Sequence, residues 1–242
     1  MGCEFVITAF FASHCVTKTA AIPTSQLLSH IDYDLTFFAL CERFRQRIIG
    51  RMTPTRMEAF SDAVIAVIIT IMVLELKAPH LPDLEALKPL LPVFLAYLLS
   101  FVYLGIYWNN HHHLLRTCSR VTGGMMWANL HLLFWLSLVP FFTGWMGENH
   151  KATWPTLLYG VVLLMAAISY TILQATIIAS QGRDSKLAQS VGNDLKGRLS
   201  ILCYALAIIF APFFTIVSHG LYVVVAAMWV IPDRRMHAAI EE

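Results

Sequence analysis

Charge is what this chain has least of. Only 13% of its 242 residues are Asp, Glu, Lys or Arg while 57% are hydrophobic, a balance that excludes an ordinary soluble domain. The net charge of +2 supplies no strongly basic surface, so no nucleic acid is expected as a partner. Cysteine is sparse too. Cys3, Cys15, Cys41, Cys118 and Cys203 are odd in number and scattered, with no Cys-x-x-Cys pair, which leaves neither a disulfide framework nor a metal cage. A phosphate loop, a glycine-rich nucleotide motif and a nucleophile with its base are all missing. No enzyme, cofactor or metal centre is therefore expected.

Apolar runs are abundant. Stretches of about 18 to 25 residues, the length that crosses a bilayer, fall near 59–76, 88–108, 125–146, 154–180 and 199–217, and a shorter one runs from Gly220 to Pro232. Positive charge flanks them on one side. Arg43, Arg45, Arg47, Arg51 and Arg56 precede the first run, and Arg116 and Arg120 follow the second. Arg183, Lys186, Lys196 and Arg198 lie between the fourth and fifth, and Arg234 and Arg235 follow the last. The opposite loops hold only Lys77, Lys88 and Lys151. Because positive loops stay in the cytoplasm, both termini are expected there, and the resulting even number of crossings requires the short sixth run to count. The expected architecture is an all-α integral membrane bundle with six transmembrane helices per subunit, located in the cell (plasma) membrane.

Residues 1–51 differ in character. Their apolar run, Phe5 to Ala12, is too short to span, and Glu4 stands where a secretory signal carries a basic residue. This segment reads as a weakly ordered cytoplasmic extension; an alternative starts the working protein at Met52. Residues 52–235 form the expected membrane domain and 236–242 a short cytoplasmic tail. Thr55 and Glu58 have the spacing of a capping box beside Pro54, so the first helix is expected to begin near Arg56 and to end before the proline-bounded Ala78–Pro82. Asp83 is placed to cap the second helix and Pro89 and Pro92 to kink it, while Thr153 and Pro155 mark the start of the fourth. Gly182 to Gly197 reads as a polar cytoplasmic linker.

The most informative junction is Arg56-Met57-Glu58-Ala59-Phe60-Ser61-Asp62, which runs unbroken into the apolar stretch Ala63 to Leu76. Arginine, serine and aspartate are costly at the mouth of a membrane helix and call for partners or an aqueous path. At roughly 100 degrees per residue, Phe60, Val67, Ile71 and Leu74 share one stripe, while Asp62, Ile65 and Ile69 fall opposite. Two readings of the stripe stand at this point: a pore wall around a symmetry axis, or a lipid-facing or core surface.

The second run ends in Trp108-Asn109-Asn110-His111-His112-His113, at the membrane level of Asp62. Indole, amide and imidazole groups are the donors a carboxylate seeks. A network is therefore expected that joins Ser61 and Asp62 to Trp108, Asn110 and His111, with Asn129 or His131 beside it; an interfacial belt without specific pairing is the alternative. Three adjacent helical histidines point about 100 degrees apart and cannot all hold one ion. Histidine with aspartate can relay protons, which keeps a proton- or cation-coupled transporter as an alternative function. Against it, no span interior carries a charged residue, where coupled transporters place their ion sites.

In order along the chain, Arg56-x-x-x-Phe60-Ser61-Asp62 with Leu74-Glu75-Leu76, Trp108 to Leu114, Asn129 to Thr143 and Ile231-Pro232-Asp233-Arg234-Arg235 resemble the segments of the transmembrane protein 175 potassium channels, bacterial members in particular. The resemblance covers residues 52 to 235. It implies a homotetramer whose first helices line a central cation pore, with potassium ions as the permeant partner and the lipid bilayer as surroundings. It implies a filter of stacked apolar rings in place of the Thr-Val-Gly-Tyr-Gly carbonyl filter, which this chain lacks. On that resemblance the rings are Val67, Ile71 and Leu74, with Thr70 near them. Arg56, Phe60, Ser61, Asp62, Trp108, Asn110, His111 and Asn129 form the implied motif and gating network. Valine where the family commonly has isoleucine removes one methylene per subunit, so the first ring is expected to be wider and selectivity for potassium over sodium moderate.

Overall fold

Thr53, two residues before the expected cap, opens the first helix. Its backbone is extended, its hydroxyl accepts from the Arg56 N–H at 3.3 Å, and Pro54 follows in the first turn, where its missing N–H has no intrahelical partner to lose. Glu58 is therefore no reciprocal member of a capping box and is free to reach another helix. The computed structural model describes residues 52–79, 82–182 and 194–230. The N-terminal extension, most of the 182–197 linker, the Ile231–Arg235 segment and the C-terminal tail lie outside those residues.

Helix α1 runs Pro54–Val73. A 3-10 segment over Leu84–Leu90 contains Pro89, and α2 then runs Leu91–Arg116 with Pro92 in its first turn. Neither proline kinks the span, because both precede the point where an i−4 carbonyl needs their N–H. Asp83 makes no side-chain capping bond. The expected second span stops at 108, whereas α2 continues to Arg116, so Trp108 to His113 lie inside the helix. The third expected span is two helices, α3 (Gly123–Ser137) and α4 (Val139–Glu148), separated by Leu138. Pro140 accounts for the interruption, since it cannot donate to the Leu136 carbonyl.

Helix α5 covers Thr153–Gln181, α6 Leu195–Phe210 and α7 Thr215–Val230. Helix α6 begins and ends earlier than its apolar run suggests, and α7 begins earlier than its own. Pro212 cannot donate to the Ile208 carbonyl, so the chain turns there, inside the run, rather than at Ser218. The segments Leu84–Arg116, Gly123–Glu148 and Thr153–Gln181 are long and apolar enough to cross a membrane, with mean hydropathies of 2.0, 1.5 and 2.1. With α1, α6 and α7 they make six helical spans, and no strand occurs among the described residues.

Helix α1 packs on α2, α3 and α4, while α5 touches α3, α4, α6 and α7, and α7 also reaches α2. The first helix thus lies to one side of the bundle. Lipid tails are as apolar as leucine, so helices associate in a bilayer through close packing and polar ties. Both are present. A Cβ on Gly147 of α4 would lie 2.8 Å from the Val93 Cα, so only glycine permits this approach of α4 to α2. Beside α1 the core is aliphatic, with Ile65, Met72, Leu104, Leu132 and Leu173. Farther away it is aromatic, with Tyr103, Tyr159, Tyr204 and Tyr222. There the Ser100 hydroxyl lies 2.7 Å from that of Thr143 and 2.9 Å from that of Tyr159, and Tyr222 donates to the Thr156 carbonyl at 2.9 Å.

Candidate functional site

Helix α1 has two faces of different chemistry. Met57, Ser61, Ile65, Ile68 and Met72 are buried against the bundle. Phe60, Val67, Ile71 and Leu74 are 51%, 54%, 46% and 75% exposed, so no part of this subunit's described residues covers them. Their spacing follows the helical repeat, and Val67 to Leu74 spans about 10 Å along the axis at about 1.5 Å per residue. Thr70 adjoins the stripe, but its hydroxyl donates to the Val67 carbonyl at 2.9 Å within the same helix. Arg56 is exposed in the first turn.

The covered face is tied to α2 and α3 by polar groups near its N-terminus. Trp108 donates its indole N–H to Asp62 Oδ1 at 3.0 Å. One turn away, His112 Nδ1 meets Glu58 Oε1 at 2.5 Å, and the Trp108 and His112 rings stack at 6.3 Å and 28°. Deeper in the bundle, His111 Nε2 lies 2.7 Å from Asn129 Oδ1, and Asn129 Nδ2 donates to Ser61 Oγ at 2.8 Å. Ser61 donates in turn to the Met57 carbonyl at 2.9 Å.

That last bond fixes the rest. Ser61 has one proton and gives it to Met57, so it must accept from the Asn129 amide, whose oxygen then accepts from His111; the network assigns the His111 proton to Nε2. His111 Nδ1 is buried without a hydrogen-bond partner.

Not every expected partner joins. Asn110 donates to the Ile106 carbonyl on its own helix at 2.9 Å, and its carbonyl accepts from Tyr170 of α5 at 3.2 Å. His131, the alternative to Asn129, faces α5 instead. Its Nε2 accepts from Trp135 at 3.0 Å and its Nδ1 lies 3.0 Å from Ser169 Oγ. The three adjacent histidines diverge, His111 toward Asn129 and His112 toward Glu58. The Glu58–His112 pair is absent from the sequence expectations, yet it carried a signal: Glu58 and Asp62 sit one turn apart on α1, as Trp108 and His112 do on α2. At the other end of α1, beyond its last turn, Lys77 and Glu148 form an exposed ion pair at 3.0 Å.

These features define a multi-pass α-helical membrane protein whose first helix is held through one face and bare on the other. Residues 56–140, which contain the Val67, Ile71 and Leu74 stripe and the polar groups that tie α1 to α2 and α3, match the model of the family described as endosomal/lysosomal potassium channel TMEM175. A potassium channel of Chryseobacterium sp. (strain P1-3) is 51% identical over 191 residues, covering 79% of this chain and 100% of that relative. A potassium channel of Streptomyces collinus is 32% identical over 126 residues, covering 49% of this chain and 61% of that relative. The crystal structure of a lysosomal potassium-selective channel TMEM175 homolog from Chamaesiphon minutus matches with a TM-score of 0.64 at 27% identity, covering 74% of this chain and 96% of that one. The chain belongs to the TMEM175 family.

Proposed function

We propose that this chain forms a potassium-permeable cation channel as a homotetramer in the cell (plasma) membrane, with both termini cytoplasmic and the pore lined by α1 of each subunit. The observation that carries this reading is the uncovered stripe of Val67, Ile71 and Leu74 on a helix whose opposite face is gripped by Trp108, His112 and Asn129. A helix that merely faced lipid would need no such network at its mouth. One subunit supplies one stripe, so a closed ring requires rotational symmetry. Potassium as the ion and the pore as the function are supported by the names of the relatives.

Apolar rings gate by expelling water and, when open, make each ion shed part of its hydration shell. Potassium is the more weakly hydrated of the two common alkali cations, which gives a moderate preference without carbonyl ligands. The polar ties of Ser61, Asp62, Trp108, His111 and Asn129 set the rotation of α1 and hence where the rings point, and in this reading they carry gating.

The test is current recording from purified protein in planar bilayers under opposed potassium and sodium gradients. Cation current with a reversal potential favouring potassium is expected. Ile71→Asn should raise conductance and reduce that preference. Absence of cation current refutes the channel, and an unchanged current in the variant moves the pore away from α1.

A further inference from the structure

The connection between α6 and α7, Ala211 to Phe214, differs from the others at its end of the bundle. The α1–α2 connection carries Glu75, Lys77 and Asp83, and the α4–α5 connection carries Asn149, His150 and Lys151. From Leu199 to Pro232 the sequence has no Asp, Glu, Lys or Arg at all. At the turn itself Phe213, Phe214 and Ile216 are 73%, 63% and 77% exposed, so the most prominent groups there are apolar. Its backbone suits an apolar setting too. Ala211 donates to the Ala207 carbonyl at 3.0 Å, Pro212 has no N–H, and Phe213 and Phe214 both donate to the Phe210 carbonyl at 2.9 and 2.8 Å. The Ser218 hydroxyl is given to the Ala207 carbonyl at 2.6 Å. Hydrocarbon demands such internal pairing, whereas a loop in water has no need of it. His219, the one histidine of the run, meets the buried Tyr222 ring edge-on at 6.4 Å and 90°.

Helix lengths place the turn below the membrane surface. Helix α6 has 16 residues, fewer than the roughly 20 of a full crossing, and its first turn holds Lys196 and Arg198, which belong at an interface. From Arg198 to Phe210 the rise is about 18 Å, against a hydrocarbon core of about 30 Å. The neighbouring α5 gives a second measure. Gly160 of α5 stands beside Ile208 of α6, since a Cβ on that glycine would lie 3.1 Å from the Ile208 Cγ1. From that level α5 continues about 10 Å to Thr153, whereas α6 continues only about 3 Å to Phe210. Trp154, 67% exposed in the first turn of α5, has the position of an interfacial ring. The α6–α7 turn therefore begins about 7 Å nearer the membrane centre than the start of α5.

We propose that the Phe213–Ile216 tip ends inside the hydrocarbon of the leaflet opposite Lys196 and Arg198, and that phospholipid acyl chains cover it. Helices α6 and α7 then form a hairpin that water reaches from one side of the membrane only. Fluid acyl chains fit the tip better than a second protein surface does. Phe213, Phe214 and Ile216 lie close together in the chain and point in different directions around the end of the hairpin, rather than along one face. The placement is read without current, so it stands or falls independently of the channel reading.

The test uses the full chain in phospholipid nanodiscs and two photoreactive diazirines, one on the acyl chain of a phosphatidylcholine and one on a water-soluble, membrane-impermeant sulfonate, with labelled peptides mapped by mass spectrometry. The peptide carrying Phe213 to Ile216 should take the lipid-borne label at least about tenfold over the aqueous one, as for one large apolar side chain kept from water. The peptide carrying Asn149 to Lys151 should show the reverse. A charged, impermeant thiol reagent gives a second reading: Lys151→Cys should react and Phe213→Cys should not, with mapping to separate both from the native cysteines. Aqueous label at the tip equal to or above the lipid-borne label, or rapid reaction of Phe213→Cys, overturns the proposal. So does a tip that takes neither label, the result expected if a second copy of the chain covers it. The diazirine comparison uses the parent chain and needs no variant.

Discussion

Replacing Asn129 by leucine tests the tie among α1, α2 and α3 most directly. Asn129 is 2% exposed and lies 2.7 Å from His111 and 2.8 Å from Ser61. Leucine keeps the bulk and removes both bonds, leaving a buried His111 N–H without an acceptor, while Ser61 retains its bond to Met57. Interhelical hydrogen bonds in bilayers average about 0.6 kcal/mol and reach about 1.7. An orphaned buried donor adds a cost of about 1–3 kcal/mol. The loss expected for Asn129→Leu is therefore about 2–4 kcal/mol. Once His111→Phe has removed the donor, the same change should cost only the Ser61 bond, about 0.6 kcal/mol. The assay is reversible unfolding of purified protein in mixed micelles for the parent, both single variants and the double. Their coupling should be at least about 1 kcal/mol. Additive losses, agreeing within about 0.3–0.5 kcal/mol, refute the claim that this bond holds the helices together.

Trp108→Phe keeps a ring beside His112 but deletes the N–H that reaches Asp62, so it should destabilise by about 0.6–1.7 kcal/mol and shift the open probability. Asp62→Asn retains an acceptor and should do less in the same unfolding and current measurements. Gly147→Ala puts a methyl 2.8 Å from the Val93 Cα, an overpacking expected to cost about 1–3 kcal/mol and to lower the monodisperse yield in size-exclusion chromatography. Gly105→Ala meets nothing within 4 Å and should leave that yield unchanged. Val67→Ile adds a methylene to the first ring and should lower conductance while raising the preference for potassium, read from bi-ionic reversal potentials.

The spans were legible because a bilayer demands a minimum apolar length, and each of the six runs contains a helix. Their ends were less legible. Pro140 and Pro212 sit inside apolar runs, where hydropathy registers nothing although the backbone loses a donor, and the cap fell at Thr53 because its hydroxyl, rather than that of Thr55, reaches the Arg56 N–H. In the site, the side-chain types could be read but their pairing could not. Membrane helices are apolar on most sides, so the pattern does not fix rotation; Asn110 and His111 are neighbours, yet one bonds within its own helix and toward α5 while the other reaches α3 and, through Asn129, α1. Glu58 was assigned to a cap that does not form, which hid its pairing with His112.

Among the described residues, the side-chain bonds that fasten α1 to its neighbours come from Glu58, Ser61 and Asp62, within its first three turns. Beyond them, among the described residues, Ile65, Ile68 and Met72 rest on the bundle through apolar contact, and the outer ion pair, Lys77 with Glu148, is solvent-exposed and weak. The helix is moored at its heel. Its outer half can swing or roll against oily neighbours at the cost of that exposed pair, so displacement is cheapest where Ile71 and Leu74 reside and dearest beside Asp62.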